Sequence, residues 1–139
     1  MVNKNYGSGD DWITPHDFFT QHDREFHFDF DPCPFQHDTS LWDGLKVEWG
    51  KSNFVNPPYS KKLKEAFIKK GLLEFSKGKG VVMLLPVSTS TKVFHEILIP
   101  HCEIRFIKKR LKFAGYNSKG EWVDNKCGMH DSMVCVFRR

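Results

Sequence analysis

Two segments of the chain place apolar residues at helical spacing. Across His16–Phe26 three phenylalanines fall on one face, and across Lys61–Ser76 leucines and phenylalanines recur while lysines occupy the other face. This spacing predicts two amphipathic helices. Thr14 can cap the first helix, with Pro15 at its first helical position, and Ser60 can cap the second.

Short apolar runs bounded by turn residues predict the strands. The unbroken run Val81–Leu85 is typical of a central strand that is covered on both faces. The remaining elements are predicted as strands at His27–Asp31, Asn53–Val55, Cys102–Phe106, Lys112–Phe113 and Ser132–Phe137, a helix at Thr89–Ile99, and a polar loop at Gly115–Gly128.

Strands that alternate with helices predict an α/β fold with right-handed crossovers. We expect one compact domain over residues 11–139, because a chain of 139 residues can bury one sizeable core, and a flexible polar leader over residues 1–10. The expected sheet is mixed and mostly parallel, with helices on both faces. The late strands are expected to pair antiparallel at one edge.

Several features of the sequence argue that the protein is not a membrane, secreted or metal-binding protein. The longest apolar run, Val81–Pro86, has only the length of a strand, and the N-terminus lacks the features of a signal peptide. We therefore expect a cytoplasmic protein with no membrane partner. The four cysteines are scattered, which predicts free thiols, and the seven histidines have no metal-binding spacing, which predicts no metal.

Charge is distributed unevenly along the chain. Residues 1–50 contain 10 of the 17 acidic residues and only 3 of the 21 lysines and arginines, so the rest of the chain is strongly basic. A basic region beside an acidic one favours a polyanionic partner at one face. An ordinary solvated surface explains the same distribution about equally well.

The tetrapeptide Asn56-Pro57-Pro58-Tyr59 follows a predicted strand and is the clearest chemical signal in the chain. An amino group conjugated to an aromatic ring is a poor nucleophile because its lone pair is delocalised. The Asn56 side-chain oxygen and the Pro57 carbonyl can accept its two N–H groups and push the nitrogen toward tetrahedral geometry. Pro57 and Pro58 stiffen the loop, and Tyr59 offers a ring on which a planar base can stack.

The tetrapeptide is typical of methyltransferases that act on the amino groups of adenine, cytosine or glutamine. Further motifs surround it in a fixed order: Trp12-Ile13-Thr14-Pro15, Asp31-Pro32-Cys33, Asp43-Gly44-Leu45 with Trp49, Leu84-Leu85-Pro86 and Arg110-Leu111-Lys112-Phe113. With these motifs, the chain from Asp11 to Phe137 resembles the phage-encoded Dam-type DNA N-6-adenine methyltransferase family.

The resemblance implies a single Rossmann-like domain that uses S-adenosylmethionine (SAM) as its cofactor. It implies that Asp31, Pro32 and Cys33 meet the methionine end of SAM, with Asp31 or a neighbouring backbone group pairing with the α-ammonium. Asp43 is implied to accept a hydrogen bond from the adenine of SAM. Asp31 as a turn residue before proline, and Asp43 as part of an Asp-Gly turn, remain structural alternatives.

The resemblance also implies that Trp12, Thr14 and Pro15 close over the cofactor, although the last two explain a helix start equally well. One segment departs from many SAM enzymes, because Pro34-Phe35-Gln36-His37 stands where they have a glycine-rich loop. This departure puts the cofactor contacts in more doubt than the Asn56–Tyr59 loop.

The implied reaction is methylation of adenine N6 in DNA, on a base that is flipped out of the duplex. Basic residues that follow the Asn56–Tyr59 loop in sequence are candidates for phosphate contacts, although a solvated helix face explains the first two equally well: Lys61, Lys62, Lys108, Lys109 and Arg110. A chain this short leaves little room for a recognition domain. We therefore expect either a monomer with weak sequence specificity or a homodimer whose two subunits share recognition of the DNA sequence.

Two rival functions remain open. The same tetrapeptide serves methylation of RNA or of a glutamine amide, so only substrate trials separate these acceptors. A binding protein that kept the fold and lost turnover, and that holds SAM or DNA, is the alternative outside enzymes. If the chain is phage-encoded, the host cytoplasm is its expected location.

Overall fold

The computed structural model describes residues 11–127 and 130–138, with the backbone alone at 125–127. The predicted leader at residues 1–10, the thiol of Cys127 and the end of the predicted 115–128 loop lie outside the described residues. The other three cysteines are free thiols, as predicted. Within the described ranges, no helix combines the length and the apolar character needed to cross a membrane.

Seven strands in the described residues form two sheets. The three-stranded sheet has the order β1-β5-β6, with β1 at Trp12–Ile13, β5 at Lys112–Tyr116 and β6 at Trp122–Cys127. The four-stranded sheet has the order β2-β3-β7-β4, with β2 at Ser52–Val55, β3 at Gly80–Pro86, β4 at Cys102–Phe106 and β7 at Ser132–Phe137.

Helices cover both faces of the four-stranded sheet. Helix α1 spans His16–Phe26 and α2 spans Lys61–Ser76, so the sequence predicted both ranges correctly. The predicted helix at Thr89–Ile99 is instead a π-helical turn at Phe94–Leu98 that continues into α3 at Ile99–His101.

The core lies on both sides of β3, because successive side chains of a strand point to opposite faces. Val81, Met83 and Leu85 pack in the cluster that α2 contributes to, whereas Val82 and Leu84 pack in the cluster that contains the α1 phenylalanines. The prediction of a central strand covered on both faces is confirmed, as are helices on both faces.

The prediction of a Rossmann-like, mostly parallel sheet is wrong. Among the described strands, β2 and β3 form the one parallel ladder, whereas β7 is antiparallel to both β3 and β4. The described residues between β4 and β7 form strands and no helix, so they contain no helical crossover of the kind that returns a chain for parallel pairing. β7 also lies inside the sheet rather than at its edge, because it pairs with β3 on one side and with β4 on the other.

This topology still gives β2, β3 and β4 a common direction. β2 is parallel to β3, and β4 shares the direction of β3 because both are antiparallel to β7. The carboxyl ends of the three strands therefore meet at one edge of the sheet, which we call the carboxyl edge. Loops at such an edge are where open α/β sheets bind their ligands.

One predicted strand and one predicted loop are wrong. The strand at His27–Asp31 is reduced to a single parallel bridge between Phe30 and Asn53, because the Asp29 carboxylate accepts the backbone N–H groups of residues 51 and 52 in place of a ladder. The loop at Gly115–Gly128 instead contains β6, which forms a hairpin with β5 around a turn that Asn117 stabilises.

The predicted helix caps are wrong in detail. Pro15, rather than Thr14, occupies the position before α1, and no side chain caps that helix. The Thr14 hydroxyl instead accepts a hydrogen bond from the Asn56 side chain. Ser60 does precede α2 as predicted, but its hydroxyl makes no capping hydrogen bond.

A buried carboxylate ties α2 to the segment before β2. The Glu74 side chain is 0% exposed and accepts a hydrogen bond from the Trp49 backbone N–H at 3.1 Å. Three lysines also donate to it: Lys70, Lys77 and Lys79. Burial would raise the pKa of Glu74, but these hydrogen bonds outweigh it and hold the pKa well below its usual range.

Candidate functional site

The tetrapeptide Asn56-Pro57-Pro58-Tyr59 lies at the carboxyl edge, directly after β2 and before Ser60 at the start of α2. Pro57 and Pro58 are buried, whereas Asn56 and Tyr59 are half-buried. A loop held at both ends and stiffened by two buried prolines orders its side chains during folding rather than at reaction.

The carboxamide of Asn56 is held in one orientation. Its Nδ2 donates to the Trp12 carbonyl at 2.9 Å and to the Thr14 hydroxyl at 3.0 Å. A carbonyl can only accept, so the nitrogen side of the amide must face Trp12. Oδ1 accepts no hydrogen bond from the described residues, and every buried polar side-chain atom among them has a partner. Oδ1 is therefore an open acceptor at the surface of the loop.

The Asp31-Pro32-Cys33 turn packs directly against this loop. The Cys33 thiol donates to the Asn56 carbonyl at 3.2 Å, and the Cys33 backbone N–H donates to Asp31 Oδ1 at 3.0 Å. Burial raises the pKa of the Cys33 thiol well above its usual value, with the nearby Asp31 and Asp11 charges adding to the effect. Cys33 is thus a structural link between the two segments rather than a nucleophile.

A cavity of about 280 Å³ opens between the N-terminal segment, the Asp31–Cys33 turn and Asn56. The structure brings together at this cavity five of the residues singled out from the sequence: Trp12, Thr14, Asp31, Cys33 and Asn56. Rings of Phe19, Phe35 and Phe54 complete its apolar wall. An apolar wall with a few polar groups, at a volume near the lower end for small-molecule sites, fits a cofactor-sized ligand.

The Asp31 carboxylate is the acidic group in the cavity wall. Desolvation by the surrounding protein raises the pKa of this carboxyl group to about 6. The Cys33 backbone hydrogen bond opposes this shift, and the negative charge of Asp11 adds to it. Asp31 therefore changes charge just below neutral pH.

A second, much smaller space lies on the other side of Asn56. It has a volume of about 10 Å³, no more than one water molecule needs, and Tyr59, Pro86, Phe113 and Ser132 contribute to its walls. Tyr59 packs edge-to-face on Phe113, with ring centroids 6.1 Å apart. Burial raises the pKa of Tyr59 to about 12, so its phenol stays neutral. Asn56 thus belongs to the wall of both spaces.

Three residues with predicted cofactor roles do not line the cavity. Pro15 precedes α1, and Pro32 is buried against Gly44, where an added Cβ would meet the Pro32 carbonyl oxygen at 1.9 Å. The Asp43 carboxylate accepts the backbone N–H of Leu45 at 2.9 Å, as in an Asp-Gly turn. Their cofactor roles remain predictions.

The sequence did not predict an aromatic cluster that lies at the rim of the cavity. Phe35 stacks on Tyr116 at 6.4 Å, and both rings contact Trp122, which is 49% exposed. Apolar and polar residues alternate in part of the segment after Asn117, as in a strand. The polarity of this segment nevertheless favoured a loop over the exposed strand β6.

The predicted DNA-binding residues lie in two segments that follow strands at the carboxyl edge. Lys61 and Lys62 begin α2, and Lys108 and Lys109 follow β4; all four are exposed. Arg110 is also exposed but pairs with Asp131, at 3.3 Å from its Nε to the carboxylate. The structure therefore brings both basic segments to the edge that contains Asn56.

Comparison with known proteins gives one match. The family model described as DNA N-6-adenine-methyltransferase (Dam) matches residues 2–139. No curated protein and no solved structure is matched by the chain.

Proposed function

Because this chain belongs to the DNA N-6-adenine-methyltransferase (Dam) family, we propose that it methylates N6 of an adenine flipped out of DNA, with Asn56 at the centre of the reaction. One observation carries the assignment of the site. The Asn56 carboxamide has both N–H groups engaged and its oxygen open, at the boundary between a cofactor-sized cavity and the space beside Tyr59.

The residues of the larger cavity fit SAM as the cofactor. When bound, SAM would supply a methyl group from its sulfonium, and the sulfur would keep the electrons of the carbon–sulfur bond. The Asp31 carboxylate is the group that would hold the α-ammonium of the cofactor, and the aromatic rings of Phe19, Phe35 and Phe54 offer apolar and π surface to the rest.

The adenine amino group is activated by two acceptors. The open Asn56 Oδ1 accepts one N–H group, and the Pro57 carbonyl, which accepts no hydrogen bond from the described residues, accepts the other. The nitrogen then points its lone pair toward the cavity, gains the methyl group and gives up one proton to solvent. Tyr59 stacks on the base, with its neutral phenol at the rim.

The exposed lysines at the carboxyl edge bind DNA phosphates in this proposal. We expect Lys61→Gln combined with Lys108→Gln to weaken DNA binding for every sequence tested. Because each lost phosphate contact releases fewer counterions, the slope of log affinity against log salt should fall by roughly 1 per lysine. Fluorescence anisotropy with labelled duplexes over a series of salt concentrations measures this slope.

Lys69→Gln is the matched control, since Lys69 is an exposed lysine farther along α2. It should leave the salt slope unchanged. Equal slopes for the double variant and the Lys69 control would show that the two basic segments do not contact phosphates.

Cofactor affinity should depend on pH through Asp31. The ionised form pairs with an ammonium, so affinity is nearly complete at pH 7 and above and is lost as pH falls through the raised pKa of about 6. Between pH 7 and pH 5 we expect binding to weaken about tenfold in the wild type and to stay nearly constant in Asp31→Asn. Calorimetric titration with S-adenosylhomocysteine, which keeps the α-ammonium, measures this.

Asp17→Asn, an exposed change on α1, is the control and should follow the wild-type profile. A wild-type affinity that does not change between pH 7 and pH 5 would remove Asp31 from the cofactor site.

We also propose that sequence specificity is weak, since the described residues form no separate recognition domain beside the two sheets. Methylation of duplexes that differ only in the flanks of one adenine tests this. A strong preference for one motif by a monomer would contradict weak specificity. The same preference by a homodimer would indicate that its two subunits share recognition of the DNA sequence.

The acceptor is tested by incubating the wild-type chain with tritiated SAM and one of three substrates. Duplex DNA should take up label, and RNA and a glutamine-containing peptide should take up little. Label in RNA or peptide alone would assign the activity to one of those acceptors. Binding of SAM and DNA without transfer to any of them would favour a protein that lost turnover.

A further inference from the structure

The N-terminal segment holds the carboxamide on which the proposed reaction depends. The Trp12 carbonyl and the Thr14 hydroxyl take the two N–H groups of Asn56 at 2.9 and 3.0 Å, across 44 and 42 residues of sequence. These two bonds decide which atom of the carboxamide is left for the substrate. If the amide turned over, Oδ1 would face a carbonyl that cannot donate.

This segment is itself held in place by the three-stranded sheet. Trp12 is paired with Gly115 and Ile13 with Ala114 in the β1–β5 ladder. The backbone at Gly115 lies so close to this segment that a Cβ added there would lie 2.8 Å from the Trp12 ring and 2.9 Å from the Asp11 carbonyl oxygen. Two residues of strand are therefore enough to fix Trp12 and Thr14 against the Asn56 loop.

We propose that Thr14 is a positioning residue for methyl transfer: its hydroxyl, together with the Trp12 carbonyl, orients the Asn56 carboxamide so that Oδ1 faces the substrate amino group. The inference rests on the proposed function. It gives Thr14 a role on the acceptor side, whereas its position in the cavity wall also allows the cofactor contact predicted from the sequence.

The two roles give different kinetics. Thr14→Val keeps the shape of the side chain but removes the acceptor, so the carboxamide gains freedom while the cavity stays filled. We expect kcat to fall about tenfold, the effect of losing one hydrogen bond, and the KM for SAM to change less than twofold. Thr14→Ser keeps the hydroxyl and should restore most of kcat.

Thr20→Val is the matched control. It makes the same change on α1, where the Thr20 hydroxyl forms no hydrogen bond with other described residues. It should retain the wild-type kcat.

A double-mutant cycle separates positioning from a general structural effect. If Thr14 acts through Asn56, Thr14→Val should cost nothing further once Asn56→Ala has removed the carboxamide. The decisive assay is transfer of label from tritiated SAM to duplex DNA by the four full-length chains of the cycle.

The inference is overturned if Thr14→Val is as active as Thr20→Val, if it raises the KM for SAM with kcat unchanged, or if its cost persists in the Asn56→Ala chain. A wild-type chain that transfers no label to DNA would instead refute the proposed function, so the two failures are distinct.

Discussion

Replacing Asn56 with alanine should lower kcat for DNA methylation by about 100-fold or more, the cost of losing one preorganised polar group in other active sites. The substitution removes the open Oδ1 acceptor, so the adenine nitrogen keeps its lone pair conjugated with the ring. Affinity for SAM should change little, because Asn56 contributes only one edge of the cofactor cavity. Single-turnover methylation with saturating SAM measures the effect on chemistry.

The same substitution removes the hydrogen bonds from Asn56 to the Trp12 carbonyl and to the Thr14 hydroxyl, which costs stability of about 1–3 kcal/mol. Asn56→Asp separates this loss from the loss of the acceptor. A carboxyl group at this position can bond the Trp12 carbonyl only when it holds a proton, so the activity of Asn56→Asp relative to wild type should rise as pH falls. A relative activity that stays flat or falls would contradict the assigned orientation.

The largest stability loss is expected at Glu74. Glu74→Gln replaces the buried carboxylate with a neutral amide, so the lysines around it lose their negatively charged partner. Removing one partner of a buried ion pair typically lowers the free energy of unfolding by about 3–5 kcal/mol. We expect the low end of this range, because Lys77 and Lys79 can turn toward solvent. Urea unfolding of both chains at pH 7 gives the difference in the free energy of unfolding.

This difference should also depend on pH. The pKa of Glu74 is lowered in the folded chain, so its contribution is complete above the ordinary value of 4.5 and is lost as pH falls through the lower folded pKa. Unfolding at pH 3 should therefore show a smaller gap between wild type and Glu74→Gln than unfolding at pH 7.

Glu48→Gln is the matched control, since Glu48 binds the same Lys77 and Lys79 but its side chain is 73% exposed. Exposed pairs contribute little, and its cost should stay below about 1 kcal/mol. Equal costs for the two glutamate variants would show that burial of Glu74 does not matter.

A series of contacts connects Glu74 to the candidate functional site. Its carboxylate binds the Trp49 backbone, the Trp49 indole N–H donates to the Gly44 carbonyl at 2.7 Å, and Gly44 packs on Pro32. The Asp31–Cys33 turn is thereby connected to α2. No motif pointed to Glu74, because a glutamate on a lysine-rich helix looks like a solvated residue.

Local signals predicted the elements that are buried on one or both faces. The bounds of α1, α2, β4 and β7 follow from runs of apolar residues, because each such run must find a partner surface. The direction and order of the strands did not follow, since they depend on where the chain returns after β4. An α/β pattern alone favours parallel pairing, and the antiparallel β7 overrides it.

The site was predictable where function constrains a short motif and less so where distant segments meet. Asn56–Tyr59 falls at a strand end as expected, and Asp31 and Cys33 lie beside it at the cavity. The hydrogen bonds from Asn56 to Trp12 and Thr14 span more than 40 residues, so no local pattern announces them. For the same reason the sequence predicts only a helix cap or a cofactor contact for Thr14.

The identity of the methylated nucleoside tests the central claim most directly. Duplex DNA treated with the wild-type chain and SAM is digested to nucleosides and compared with DNA treated with Asn56→Ala. We predict N6-methyldeoxyadenosine as the product of the wild type and a yield at least 100-fold lower for the variant at equal times. Methylated cytosine as the product, or equal yields from both chains, would contradict the account.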